Sequence, residues 1–178
     1  LSMVEWRPLL GALPPLNEAE WNRVYEMYKQ SPEFEHKHFW MSLHDFKQIF
    51  FWEWFHRLWG RLIGLAFLLP LLYFWLSKRI PQGWKLKLIG LFFLGGAQGL
   101  MGWIMVKSGL VDRPSVSHFR LAAHLSLAAL IFGALILSAR AISKPQSDDY
   151  HFDKLGLAAL GCVFITLIWG AFVAGLDA

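Results

Sequence analysis

The chain has 178 residues, a net charge of +4, and an apolar fraction of 56% that includes ten Trp and fifteen Phe. Ordinary soluble domains are less apolar than this, at roughly 45–50%, and no basic cluster carries the patterning that nucleic acid requires. The lone cysteine, Cys162, lies in an apolar run; it excludes a disulfide framework or a cysteine metal site and reads as a small buried residue.

In chain order, residues 1–54 differ from the rest and read as an outer, interfacial segment. The chain opens at Leu1 with no basic head or cleavage site of a signal peptide, and it stops at "FVAGLDA"; both ends read as cut. In "NEAEWNRVYEMYKQSPEF" the spacing puts Trp21, Val24, Tyr25 and Tyr28 on one helical face. Asn17 with Glu20 resembles a capping box, and Ser31-Pro32 ends the helix. Such a helix is expected to lie on the membrane surface or on the bundle. Ser42 with Asp45 is a second start signal, from which one helix can run unbroken to Leu76. At 1.5 Å per residue that helix is roughly 50 Å long against a hydrocarbon core of roughly 30 Å, so its first part projects or lies in the interface.

Residues 55–178 hold four segments long and apolar enough to cross a bilayer: about Leu58 to Leu76, Leu88 to Val106, Leu121 to Ala139 and Leu155 to Leu176. In lipid each must be a helix, because its backbone groups need internal partners. The expected fold is an all-α integral membrane protein, an up-down four-helix transmembrane bundle with an amphipathic outer segment before the first span. Lys78, Arg79, Lys85, Lys87, Arg140, Lys144 and Lys154 slightly outnumber Lys47, Arg57, Arg61, Lys107, Arg113 and Arg120 on the other side. That bias puts the loop after the first span in the cytoplasm or matrix.

The chemistry gathers at "FFWEWFHRLWGRLIG", residues 50 to 64, where Glu53, His56, Arg57 and Arg61 stand at the mouth of the first span. Counting back about 20 residues from Leu76 sets the hydrocarbon edge near His56. The same count from Ala139 sets it near Arg120, with His124 about one turn deeper. The first and third spans run parallel, so both imidazoles are expected at one outer level, where two histidines on neighbouring helices form a haem site. Gly60 and Gly64 below His56, and Gly95, Gly96, Gly99 and Gly102 on the second span, suit either close helix packing or a flat macrocycle. Arg57, Arg61 and Arg120 suit haem propionates, or else snorkel to headgroups. Glu53 shares a face with His56 and either starts the helix or acts on a ligand as a proton-holding or cation-stabilising group. His36, His38, His44, His118 and His151 sit in polar or interfacial stretches, and "EHKH" at 35–38 offers at most a stray metal contact.

Five ordered motifs, "LSMVEW", "EWFHRLWGRLIGLAF", "QGLMGWIMVKSGL", "FRLAAHLSLA" and "GAFVAGLDA", resemble haem A synthase of the proteobacterial and mitochondrial form over nearly the whole chain. The resemblance implies an N-terminal half: the tail of the first outer segment and the second to fifth spans of a protein built from two similar four-helix bundles. A first span, and a second bundle with its own histidine pair and a haem b, belong to the rest of such a protein, and the 178 residues alone are expected to be inactive. The family's Glu-x-x-His falls on Glu53 and His56, and its fourth-span histidine on His124. His56 and His124 would then be axial ligands of the iron of haem O, with Glu53 facing the reacting edge and Arg57, Arg61 and Arg120 at the propionates.

The implied reaction oxidises a ring methyl of haem O to the formyl group of haem A, for terminal oxidases. Two hydroxylations give a hydrated aldehyde, which loses water. Expected partners are haem O, membrane lipid, a haem O synthase and an electron-transfer partner, with no nucleic acid. The expected location is a bacterial inner membrane or the mitochondrial inner membrane. Two other readings stand beside this one: a non-catalytic two-histidine cytochrome, and a cofactor-free assembly or scaffold bundle.

Overall fold

The computed structural model describes residues 13–109, 116–143 and 154–176. Arg113, Lys144, His151 and the two chain ends lie outside the described residues. Among the described residues all regular structure is helical: α1 (Glu18–Lys29), a π-helical turn (Phe34–His38), α2 (Leu43–Leu76), α3 (Lys85–Gly109), α4 (His118–Ser143) and α5 (Lys154–Leu176). Four helices, Leu43–Leu76, Lys85–Val106, His118–Ser143 and Lys154–Leu176, are long and apolar enough to cross a membrane. The chain is an all-helical integral membrane protein. Its contacts divide it into two compact units, Leu1–Ala66 with Trp103–Val116, and Phe67–Gly102 with Ser117–Ala178.

In the first unit, Asn17 caps α1 by accepting from the Glu20 amide at 2.8 Å. The Glu20 carboxylate reaches back one residue further than in a standard capping box, to the Leu16 amide at 3.0 Å. The predicted face is the buried one. Val24 and Tyr28 join Met41, Phe46 and Phe50 in a core, with Trp21, Tyr25, Phe34, Leu43, Ile49 and Trp54 packed around it. The helix expected on the membrane surface or the bundle therefore has its apolar stripe filled by the start of α2.

The π-helical turn has no signature in the hydrophobic pattern. Its wider winding brings the Phe34 ring to 5.6 Å from Tyr28, and His38 Nδ1 to 2.7 Å from the Tyr28 hydroxyl. Ser42 and Asp45 start α2 as the sequence predicts. Asp45 Oδ2 accepts from the Ser42 amide at 3.0 Å, and the Asp45 amide donates to Ser42 Oγ at 3.4 Å. The helix then runs 34 residues without a break, about 51 Å against a hydrocarbon thickness of about 30 Å. Its first four turns are the part that carries the outer core.

In the second unit, α2 ends in a Schellman motif: the Arg79 amide donates to Phe74 O at 2.9 Å and the Lys78 amide to Trp75 O at 3.1 Å. Lys78 takes the left-handed position at φ 56°, which glycine adopts more cheaply. Lys85 lies over Trp75 and Lys87 over Trp84, and Arg79 donates to the Tyr73 hydroxyl at 3.3 Å. This belt of rings and cations is what an apolar helix needs at a membrane–water boundary.

Farther in, Phe67 and Phe92 stack with centroids 6.4 Å apart. Helices α4 and α5 pack backbone to backbone and antiparallel. A Cβ at Gly175 would stand 2.7 Å from both Cα and Cβ of His118, so only glycine fits where the end of α5 crosses the start of α4. Cys162, expected to be buried, is exposed on α5, because the apolar run around it faces outward, where a bilayer rather than protein covers it.

Candidate functional site

On α2 the helical repeat sets Glu53, His56, Arg57, Gly60, Arg61 and Gly64 along one side of three turns. Trp54, on another side of the same turns, packs against the outer core, so the cap steadies the helix where this row begins. The His56 imidazole is exposed and open to a ligand. Arg57 is largely buried, and its Nη2 lies 4.0 Å from Glu53 Oε2, at the outer limit of an ion pair. The Arg61 guanidinium is less satisfied still: Nη1 is buried and meets no hydrogen-bond partner among the described residues. Leaving a buried donor of a charged group unmade costs more than about 1–3 kcal/mol, so an anion is the expected complement. Beside it a Cβ added at Gly60 or Gly64 would meet nothing within 4 Å. The row thus offers an imidazole for a metal, cations for carboxylates and a smooth open floor, a donor set that fits a haem with its propionates.

Glu53 also acts outward. Burial, reinforced by the nearby Glu53 carboxylate, pushes the Tyr28 hydroxyl up to about 12, so Tyr28 stays a neutral hydrogen-bonding group at any working pH. Its partner His38 is pushed below its ordinary value by burial.

In the second unit His124 lies on α4, against α3. A Cβ at Gly102 would stand 3.3 Å from His124 Cε1, so the imidazole edge rests on a residue without a side chain. One turn earlier on α3, the Gln98 amide nitrogen lies 3.1 Å from the His124 backbone oxygen and 3.3 Å from its ring Nε2. Around Gly95, Gly96 and Gly99 added Cβ atoms would meet nothing within 4 Å. Between α3 and α4 the contact runs through the Gln98 and His124 side chains. Arg120 stands exposed on the first turn of α4. His118 packs its ring on Phe119 and Phe172, with centroids 4.2 and 5.7 Å away, as a structural residue at the α4–α5 crossing.

Of the residues that sequence reasoning singled out, Glu53, His56, Arg57 and Arg61 share one helix in the first unit, and Arg120 and His124 share another in the second. The "EHKH" histidines turn to local partners, His36 Nδ1 to Pro32 O at 2.9 Å and His38 to Tyr28. Among the described residues no group of three or more His, Cys, Asp or Glu is placed to hold a metal ion. Sequence reasoning missed Gln98. The available signal was a lone amide side chain within the charge-free apolar stretch 88–106, where a polar group needs a reason.

A family described as cytochrome oxidase assembly protein matches residues 1–178. Relatives named "Heme A synthase" from Rhodospirillum centenum and Mesorhizobium japonicum are each 49% identical over the whole chain, covering 49% and 50% of their own lengths. One from Parvibaculum lavamentivorans is 48% identical over 100% of the chain and 52% of its own length. The chain spans about half the length of the curated relatives it matches. No solved structure matches it.

Proposed function

The chain belongs to the cytochrome oxidase assembly protein family, and on that premise we propose that it forms a haem-binding half of a haem A synthase in an energy-transducing inner membrane. The observation that carries this reading is the match along all of residues 1–178 to relatives of that name at 48–49% identity. The orphaned Arg61 nitrogen beside two open glycines supports it. Haem O, as substrate, brings the iron and the ring methyl; two hydroxylations and a loss of water convert that methyl to the formyl of haem A, a net gain of one water oxygen with four protons released and four electrons passed to an electron-transfer partner.

The chain's own residues bind, orient and manage charge. His56 and His124 would supply the imidazoles that hold the haem iron. Arg61 and Arg57, with Arg120 on α4, neutralise the propionates, a pairing whose planar fork fits a carboxylate better than a lysine does. The 4.0 Å approach of Arg57 to Glu53 is loose enough for the guanidinium to turn to a propionate. A carboxylate one helical turn from His56 can then take a proton or stabilise positive charge at the reacting edge. The open glycine floors of α2 and α3 admit a flat macrocycle that larger side chains would exclude. A haem O synthase delivering the substrate, an electron-transfer partner and a further haem b belong to the same reading of the whole protein.

The test separates binding from chemistry in cells expressing the native gene. His56→Ala or His124→Ala removes one of the two iron-holding imidazoles and is expected to weaken binding of the substrate haem. Glu53→Gln keeps size and loses charge; haem stays bound while haem A falls tenfold or more, equivalent to about 1.4 kcal/mol of transition-state stabilisation. Extracted haems are separated by chromatography. Normal haem A from the Glu53→Gln cells would remove Glu53 from the chemistry, and normal haem A from both histidine variants would sink the haem-site reading.

A further inference from the structure

Gln98 reaches from α3 to His124, and its geometry is specific. The His124 backbone oxygen can only accept, so the atom 3.1 Å from it is the amide nitrogen, which fixes the orientation of the amide. The same nitrogen lies 3.3 Å from ring Nε2 and has a second hydrogen to offer it. A donor there requires Nε2 to be an acceptor, which places the ring proton on Nδ1. Packing agrees: the Cε1 edge of the ring rests against Gly102 of α3, within reach of the amide.

A plain interhelical clamp explains the bond to the backbone oxygen but not the rest. Gln98 Oε1 is buried with no hydrogen-bond partner among the described residues, a cost of about 1–3 kcal/mol that an apolar residue would avoid. Interhelical hydrogen bonds in membranes return only about 0.6–2 kcal/mol. The amide is poorly placed for stability and well placed for the ring.

We infer that Gln98 is a positioning residue for the axial ligand: anchored on the His124 carbonyl, it holds the imidazole in the Nδ1–H form with its Nε2 lone pair available, and yields that lone pair to iron. Only a deprotonated ring nitrogen can bind a metal, and the partner of the imidazole decides which nitrogen that is. The long 3.3 Å contact suits the task, because a short, strong bond would compete with the iron. The inference rests on the haem reading of His124.

The experiment uses protein expressed from the native gene and purified without haem, with ferric protoporphyrin IX as the probe. Ring nitrogen chemical shifts of 15N-histidine report the tautomer before loading; after it, the low-spin electron paramagnetic resonance signal and the Soret band report ligation, each taken as the difference from a variant carrying both His56→Ala and His124→Ala, which removes the contribution of the second histidine pair. Gln98→Met keeps length and apolar fit but removes the donor. It is expected to move His124 from Nδ1–H to a tautomer mixture, to slow low-spin loading two- to tenfold and to broaden the low-spin signal.

Should the Met variant fail to fold, Gln98→Asn retains the amide but draws it back by about 1.5 Å, and the same shift of tautomer is expected. A purely structural role would lower thermal stability and leave tautomer and line width alone; that result overturns the inference. If His124→Ala leaves the low-spin signal of the parent protein intact, the haem reading of His124 fails and takes the inference with it. If His124→Ala removes the signal while Gln98→Met matches the parent in tautomer and loading, the inference alone is overturned.

Discussion

Removing one oxygen atom tests how firmly the outer cap holds the mouth of α2. Tyr28 is fully buried, with its ring 5.0 Å from Phe46 and its hydroxyl 2.7 Å from His38 Nδ1. Tyr28→Phe preserves the ring contacts and deletes the hydroxyl, leaving a half-buried imidazole nitrogen without its partner. The expected loss is about 1–2 kcal/mol, or roughly a 5- to 30-fold rise in local opening. Amide hydrogen exchange of α1 in detergent-solubilised protein reads this directly, because Val24 and Tyr28 lie at the centre of the cap.

The same pair predicts a pH dependence. Burial lowers the pKa of His38 in the folded cap, so the folded state binds its proton less well than the unfolded chain does. The resulting stabilisation is present above about pH 6.5, the unfolded value, and is lost as pH falls through the lowered folded value. Tyr28, pushed up to about 12, has the opposite sign. Its contribution is complete below about pH 10 and is lost as pH rises through about 12. Protection of α1 should therefore hold through neutral pH and weaken on acidification below about 6.5, the unfolded value. If Tyr28→Phe exchanges within twofold of the parent, the hydroxyl contributes nothing. If protection rises on acidification, the burial argument for His38 is wrong.

Three more outcomes come from local geometry. Gly175→Ala drives a Cβ to 2.7 Å from the His118 backbone and should destabilise the α4–α5 pair by about 1–3 kcal/mol, read as a lower melting temperature; an unchanged value would mean the helices do not cross this closely. Lys78→Gly relieves a left-handed non-glycine residue at φ 56° and should raise stability by up to about 1 kcal/mol, unless its charge is needed to orient the loop, which a topology assay with a cytoplasmic reporter would reveal. Gly102→Ala sets a methyl 3.3 Å from His124 Cε1; the ring must give by a few tenths of an ångström, so the low-spin signal of haem-loaded protein should shift while helix content stays the same.

The spans were legible because the bilayer imposes one solution on an apolar segment of sufficient length. The continuous helix from Leu43 through Leu76 was legible because Ser42 and Asp45 form a cap and Pro70 is the lone helix breaker between them and Leu76. Proline there lacks the donor for the Ala66 carbonyl but leaves the helix intact. The buried face of α1 was legible from its 3.6-residue repeat. Its destination was not, because a periodicity says which side is apolar and is silent on what covers it. Phe46 and Phe50 of α2 took that place rather than lipid.

Glu53, His56 and the arginines stood out in the sequence because charge at membrane depth is expensive and rarely accidental. Gln98 escaped notice because an amide carries no charge. Its meaning depends on a contact 26 residues away along the chain, which no spacing within α3 reveals. The same holds for Tyr28 and His38, ten residues apart and brought together by a π-helical turn with no hydrophobic signature. In both cases the contact joins neutral, partly buried side chains, and each is legible only from its partner. An imidazole in an apolar span therefore calls for a search of the neighbouring helix for an amide or hydroxyl at its level, since a ring with two inequivalent nitrogens needs something to decide between them.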